Sequence, residues 1–363
     1  MKMLLLKNKD FKSNIGMFNL FKGIGIVGVI VFHSISSFDF TKLNSYFMSQ
    51  LLLMVVCLFG GTVMPAFFII SGYGFKKQKY SFVRKKVKRI LVPYFVMAFV
   101  TVVLHFILHF GIFHYFKNAI KETVKVAVGF CLALSSNMEF KGIVFYSCGI
   151  GWYLIALIGC IILLNLIMNF EGVKPWKYVI IIAIAGVILG YYKIFVFCIS
   201  QIFTGLFFFY EGYLIKKKKL FQIKWNWLFS LILAITLLIN ALGVIYRGQM
   251  DNIAEGNWNL LIISLFTDGF LAYSILCFFL YLNKFSNNIF KFLKKIGNSS
   301  LIVFCIHSVE MKAIPWYLFT QNWKGNPFMG CLILVVMRII VISVFYFVFC
   351  IVHSRLWLTI KRK

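Results

Sequence analysis

Two imidazoles and one cation, set in apolar runs, are where this chain could do chemistry. The segment from Phe21 to Ser34 reads FKGIGIVGVIVFHS, with Lys22 at its start and His33 near its end. Eleven residues at roughly 100° each make about three turns, so a helix carries both side chains on nearly one face. At roughly 1.5 Å per residue they stand about 16 Å apart along the axis. With Lys22 at a membrane surface, that rise puts His33 near the middle of a hydrocarbon core roughly 30 Å thick. A titratable side chain at that depth is costly and is read first as functional. The bland alternative is a signal anchor with one buried His. His307, in GNSSLIVFCIHSVEM, falls at a similar depth, about 12–13 Å along a helix that starts near Ser299. Such a pair could take a proton from a hydroxyl, or one member could carry an acyl group. Equally, each could be a polar core residue bonded to a neighbouring helix.

Other candidates lie nearer the ends of the apolar runs. In MPAFFIISGYGF, Ser71 is either a nucleophile beside a small residue or part of a packing notch with Gly72. Gly72 and Gly74 would leave backbone free for a ligand. In RKKVKRILVPY, Lys86 and Arg89 are three apart and share one helix face. They suit a phosphate, the Arg as a planar fork, or they simply meet anionic headgroups. Pro93 follows and could kink the helix so as to aim them inward. Trp152 fits an aromatic belt at the outer interface, or a platform for a sugar. Glu211 is expected to pair with a nearby cation. Asp268 and Arg338 fall inside apolar runs, so they should either meet each other or face an aqueous cavity. His105, His109 and His114 have spacings of four and five but no accompanying carboxylate, so they are read as interfacial rather than as metal ligands.

The elements that must position these groups follow from composition. The chain has 363 residues, 61% of them hydrophobic, with a mean hydropathy of +0.90. That exceeds what soluble domains carry, and apolar runs of span length recur throughout. The expectation is an all-α polytopic membrane protein of ten helices, near 23–42, 47–75, 90–112, 144–168, 178–192, 194–215, 226–246, 259–282, 299–318 and 328–352. With both termini cytoplasmic, the inner segments hold 28 Lys and Arg and the outer segments 8. The net charge of +28 thus reads as positive-inside bias rather than a nucleic-acid footprint. The first run leads into no cleavage site and is read as a retained helix. The nine Cys are scattered and suggest neither a disulfide framework nor a metal site. Residues 113–143 are too long for a simple loop and are expected to form a re-entrant or interfacial piece on the outer side. The rest reads as a single domain over 1–363, without internal repeats.

Taken in order, these segments resemble the membrane-bound acyltransferase family 3, whose members acylate surface polysaccharides. The family opens on Arg, ten residues, then His; here Lys22 and His33 have that spacing. An FFxxSG(Y/F) stretch matches Phe67 to Tyr73, and a basic segment ending in Pro-aromatic matches Lys86, Arg89, Pro93 and Tyr94. A WFL-like start matches Trp152-Tyr153-Leu154, an FxxGY stretch matches Phe209 to Tyr213, and a late SLxxYxxH matches Ser300, Leu301 and His307. Lys22 stands where the family usually has Arg.

The resemblance implies a stand-alone integral-membrane O-acyltransferase of the cell membrane. It would transfer acetyl from acetyl-CoA, a donor substrate and not a bound cofactor, to a sugar hydroxyl of an envelope glycan or a lipid-linked sugar. It implies His33, His307 and Lys22 as catalytic residues and Lys86, Arg89, Ser71 and Gly72 at the donor. Trp152 would lie at the acceptor. Membrane lipids are partners, nucleic acid is not, and a homodimer is compatible with the pattern. The competing expectation is a flippase for a lipid-linked glycan, which would show inverted repeats.

Overall fold

The computed structural model describes residues 15–38 and 61–361, except 114, 115, 171, 173, 224, 248 and 286. The first part of the expected second helix, and His114, lie outside the described residues. Thirteen helices are described: α1 (Ile15–Ile35), α2 (Gly61–Tyr73), α3 (Tyr80–Phe113), α4 (Phe116–Cys131), α5 (Trp152–Ile167), α6 (Pro175–Tyr191), α7 (Ile199–Lys217), α8 (Trp227–Arg247), α9 (Ile262–Leu282), α10 (Asn288–Asn298), α11 (Ser300–Ala313), α12 (Tyr317–Asn322) and α13 (Pro327–Lys361). Each of the ten expected stretches overlaps one of them. Among the described residues, seven helices are long and apolar enough to cross a membrane. The outer faces of α3, α8 and α13 expose large apolar side chains such as Phe99, Leu238 and Phe347, as a surface solvated by lipid must.

Helix ends depart from expectation for local reasons. The α1 helix begins eight residues before position 23 and ends at Ile35. Lys22 is therefore inside the helix and His33 sits in its last turn, not at its middle. The basic segment at 84–89 lies within α3, which continues through Pro93, so those cations decorate a helix rather than precede one. The expected helix at 299–318 stops at Ala313. Its C-cap, Ile314, is extended (φ −87°, ψ 127°), because the ring of Pro315 disfavours helical geometry in the residue before it. The chain then turns into α12 and carries Trp316 back towards α11.

The segment 113–143 is more structured than a single re-entrant piece. In α4, Ala119, Thr123, Val126 and Phe130 are buried at helical spacing, a stripe that packs on α3. A β-hairpin follows, β1 (Met138–Phe140) with β2 (Ile143–Phe145). Its two-residue turn, Lys141-Gly142, has both φ positive (49° and 77°), the geometry that matches strand twist in a tight hairpin. Among the described residues the fold is thus all-α apart from this hairpin.

The α1 helix is the hub, packing against α9, α10, α11 and α13. Its contact with α10 is backbone to backbone. A Cβ at Gly23 would overlap the Leu293 carbonyl, and one at Gly297 would overlap that of Asn19. Asn19 and Asn298 hydrogen-bond across the same seam. The α10 helix starts where the Asn287 side chain accepts from the Phe290 N–H at 2.7 Å, satisfying one of the free donors of the first turn.

Candidate active site

His33 and His307 come together. Their ring centroids are 5.7 Å apart, although 274 positions separate them in sequence. The His307 Nδ1 is 2.6 Å from Glu310 Oε1, and the other carboxylate oxygen accepts from Trp316 Nε1 at 2.6 Å. Both residues are fully buried. With a proton on Nδ1 bonded to the carboxylate, Nε2 keeps its lone pair. Nε2 is buried and has no hydrogen-bond partner among the described residues. An imidazole fixed through Nδ1 by a carboxylate, with Nε2 free, is oriented as a proton acceptor.

His33 is half-buried and stands where two cavities meet. One, of about 630 Å³, is walled by His33, His105, His109, Tyr146, Lys312 and Arg338 among others. The second, of about 700 Å³, is bordered by His33, Gly28, Trp152, Asp251, Phe304 and Lys312 among others. Both lie at the C-terminal end of α1. Arg338 reaches the first cavity from α13, so it meets the expectation of facing a cavity. Its acidic neighbour is Glu310; Asp268 is instead buried beside Asn240. His105 and His109, expected at the interface, are buried and stacked at 3.7 Å. Trp152, expected in an aromatic belt, is also buried, against Phe68. Glu211, expected to pair with a cation, forms no ion pair among the described residues, and its Oε2 has no hydrogen-bond partner.

The rim of the first cavity holds Glu122, which bonds to Lys125 Nζ and Tyr146 Oη, both at 2.7 Å. Burial pushes its carboxyl up, but the Lys125 and Tyr146 bonds outweigh that and hold it below the usual range. Burial, with the Glu122 bond, pushes the Tyr146 phenol up to about 12. At the second cavity, burial raises the Asp251 carboxyl although the Asn259 N–H, bonded to it, works the other way.

The expected donor residues form a separate group at the opposite end of α1. Phe18 packs on Tyr73 at 5.0 Å, Lys216 lies over Tyr73 at 5.6 Å, and Lys86 lies over Phe75 at 5.9 Å. Arg89 is exposed. Lys22 lies between the two ends and is half-buried. Ser71 Oγ is 3.1 Å from Tyr153 Oη, and a Cβ at Gly72 would overlap the Phe209 carbonyl of α7. Neither position borders the two cavities around His33.

Glu310, Trp316 and Lys312 were missed in the sequence. Glu310 had a signal, since it follows His307 by three residues and so lies on the same helix face. Among the described residues, no group of three or more His, Cys, Asp or Glu is placed to hold a metal ion.

A search of curated proteins and of solved structures gives no match. A family model described as an acyltransferase domain, that of acyltransferase family 3, matches residues 16–355. That span includes α1, both histidines, Glu310 and Arg338. On this match the chain belongs to acyltransferase family 3 and is a membrane acyltransferase.

Proposed function

We propose that the chain transfers an acetyl group from acetyl-CoA to a sugar hydroxyl of a cell-envelope polysaccharide, within the cell membrane and with both termini cytoplasmic. The observation that carries this reading is His33 at the meeting point of two cavities, backed by the buried His307–Glu310 pair. The donor approaches from the N-terminal end of α1, where Lys86, Arg89 and Lys216 offer cations for its phosphates. Lys22 lies on the way to His33 and steers the thioester. Ser71 and Gly72 hold the wall there by packing. The acceptor enters at the other end, past Trp152 and the polar cavity.

In the reaction His33 takes the hydroxyl proton as the sugar oxygen bonds to the thioester carbonyl carbon. His307, oriented by Glu310 with Nε2 unprotonated, then takes the proton on from His33, so that the pair shares the positive charge. The carbon–sulfur bond then breaks, and the departing thiolate receives the proton. The products are the sugar ester and free CoA. Ester-linked acetate on the envelope glycan, measured in cells carrying His33→Ala, tests this. Loss of acetate with the polymer still exported is expected. Full acetylation would refute the mechanism, and loss of exported polymer would point to a flippase.

A further inference from the structure

We propose that the acceptor is an acidic sugar, bearing a carboxylate or a phosphate, and that Arg338 with Lys312 holds this anion in the polar cavity beside His33. The proposal rests on the acyl-transfer reading and names its substrate class.

Among the described residues, the charges around the cavity do not balance. The described carboxylates there are Glu122 and Glu310, and the oxygens of both already hold hydrogen bonds. Glu122 is bonded to Lys125 and Tyr146. Glu310 has one oxygen on His307 and the other on Trp316. The cations are Lys121, Lys125, Lys312 and Arg338. Lys312 Nζ donates to a neutral hydroxyl, Ser147 Oγ, at 2.9 Å. Arg338 is 2% exposed. Its Nη2 reaches Ser37 Oγ at 3.4 Å, while its Nε and Nη1 have no hydrogen-bond partner among the described residues. Neither Lys312 nor Arg338 forms an ion pair among the described residues.

A buried guanidinium with two unsatisfied nitrogens is costly unless something supplies oxygen atoms. Its fork matches a carboxylate or a phosphate in two-point contact. The guanidinium lies 5.5 Å over the Trp316 ring, which holds it in place on one side. The donor's own phosphates are a poorer fit, because the cations placed for them lie at the other end of α1. An acidic group anchored at Arg338 would leave the rest of the sugar ring to reach His33 on the same cavity wall.

The test uses the full chain in lipid nanodiscs and four probes: glucose, glucuronate, glucose 6-phosphate and CoA. Binding is measured by thermal-shift titration and transfer with labelled acetyl-CoA. Glucuronate or glucose 6-phosphate should bind at least about tenfold more tightly than glucose, and whichever does identifies the anion. Arg338→Gln should bring acid and neutral sugars within about threefold, and Arg338→Lys should restore part of the preference. If Arg338→Gln does not fold, Lys312→Gln reports the same loss. Equal binding of acid and neutral sugars by the unmodified chain would overturn the proposal. Competition of CoA with the acid sugar for one site, weakened alike by Arg338→Gln, would also overturn it and make this the donor site. Preferential binding of the acid sugar without any transfer would leave the anion site standing and refute the acyl-transfer reading instead.

Discussion

Replacing Glu310 by Gln keeps the side chain's size and removes its charge. The two bonds it makes then survive only if the imidazole changes tautomer. An indole N–H only donates, so an amide at 310 must turn its oxygen towards Trp316 and its NH₂ towards His307 Nδ1. Nδ1 then has to accept, and the imidazole proton moves to Nε2, which can no longer take one. A hydrogen bond to a charged group contributes about 1.5–3 kcal/mol, and each 1.36 kcal/mol in a barrier is about tenfold in rate. Losing the carboxylate's support of the imidazole thus costs about 10–100-fold. The wrong tautomer adds to that, and in a serine-protease triad the same acid-to-amide change costs about 10⁴. The expected outcome for Glu310→Gln is a fall in kcat of about 10²–10⁴-fold, with KM for acetyl-CoA within about threefold. The assay is the initial rate of acetyl transfer in proteoliposomes, alongside thermal melts to exclude misfolding. A well-folded Glu310→Gln within threefold of the unmodified rate would refute the role given to His307.

Three further outcomes are expected. Lys22→Arg restores the side chain usual in the family and should give a transfer rate equal to or above that of the unmodified chain; a clear loss would tell against steering of the donor by this position. Gly72→Ala forces a Cβ onto the Phe209 carbonyl and should lower the melting temperature by the equivalent of about 2 kcal/mol or more, whereas Gly28→Ala, with nothing within 4 Å of its new Cβ, should not lower it. Glu122→Gln should reduce stability above the ordinary carboxyl value of 4.5. Because the folded-state value is depressed, the difference from the unmodified chain should shrink as pH falls through it, and a gap that persists in acid would refute the assignment.

The helical, membrane-embedded character of the chain was legible in its apolar runs, and so was the interest of His33 and His307, because an imidazole in such a run is exceptional. Helix ends were not. Lys22 and the RKKVKR cluster were read as marking where spans begin, but long cationic side chains can reach polar surroundings from within a helix, and α1 and α3 both start earlier. Pro315 did carry a usable signal for the end of α11. The local pattern could not show that the turn after Pro315 returns Trp316 to Glu310, or that Arg338 meets Ser37. Those contacts join residues up to 301 positions apart and depend on how helices pack, which periodicity does not encode. For Ser71 and Gly72, motif spacing alone could not separate a ligand site from a packing seam, nor show how closely Gly72 meets the Phe209 carbonyl.

The early end of α1 bears directly on the chemistry. A helix continuing to position 42 would commit the carbonyl of His33 to the next turn. Instead the helix stops at Ile35, and that carbonyl accepts from Ser37 Oγ at 2.7 Å and Ser36 Oγ at 3.3 Å, which satisfies a terminal acceptor. Ser37 Oγ in turn accepts from Arg338 Nη2. One serine hydroxyl therefore links the backbone of the proposed base to the guanidinium proposed to anchor the acceptor. A shift of the last turn of α1 would move both, so the distance between proton acceptor and anion anchor is set by a helix terminus rather than by two independent side chains. The two cavities meet beside this terminus, at His33.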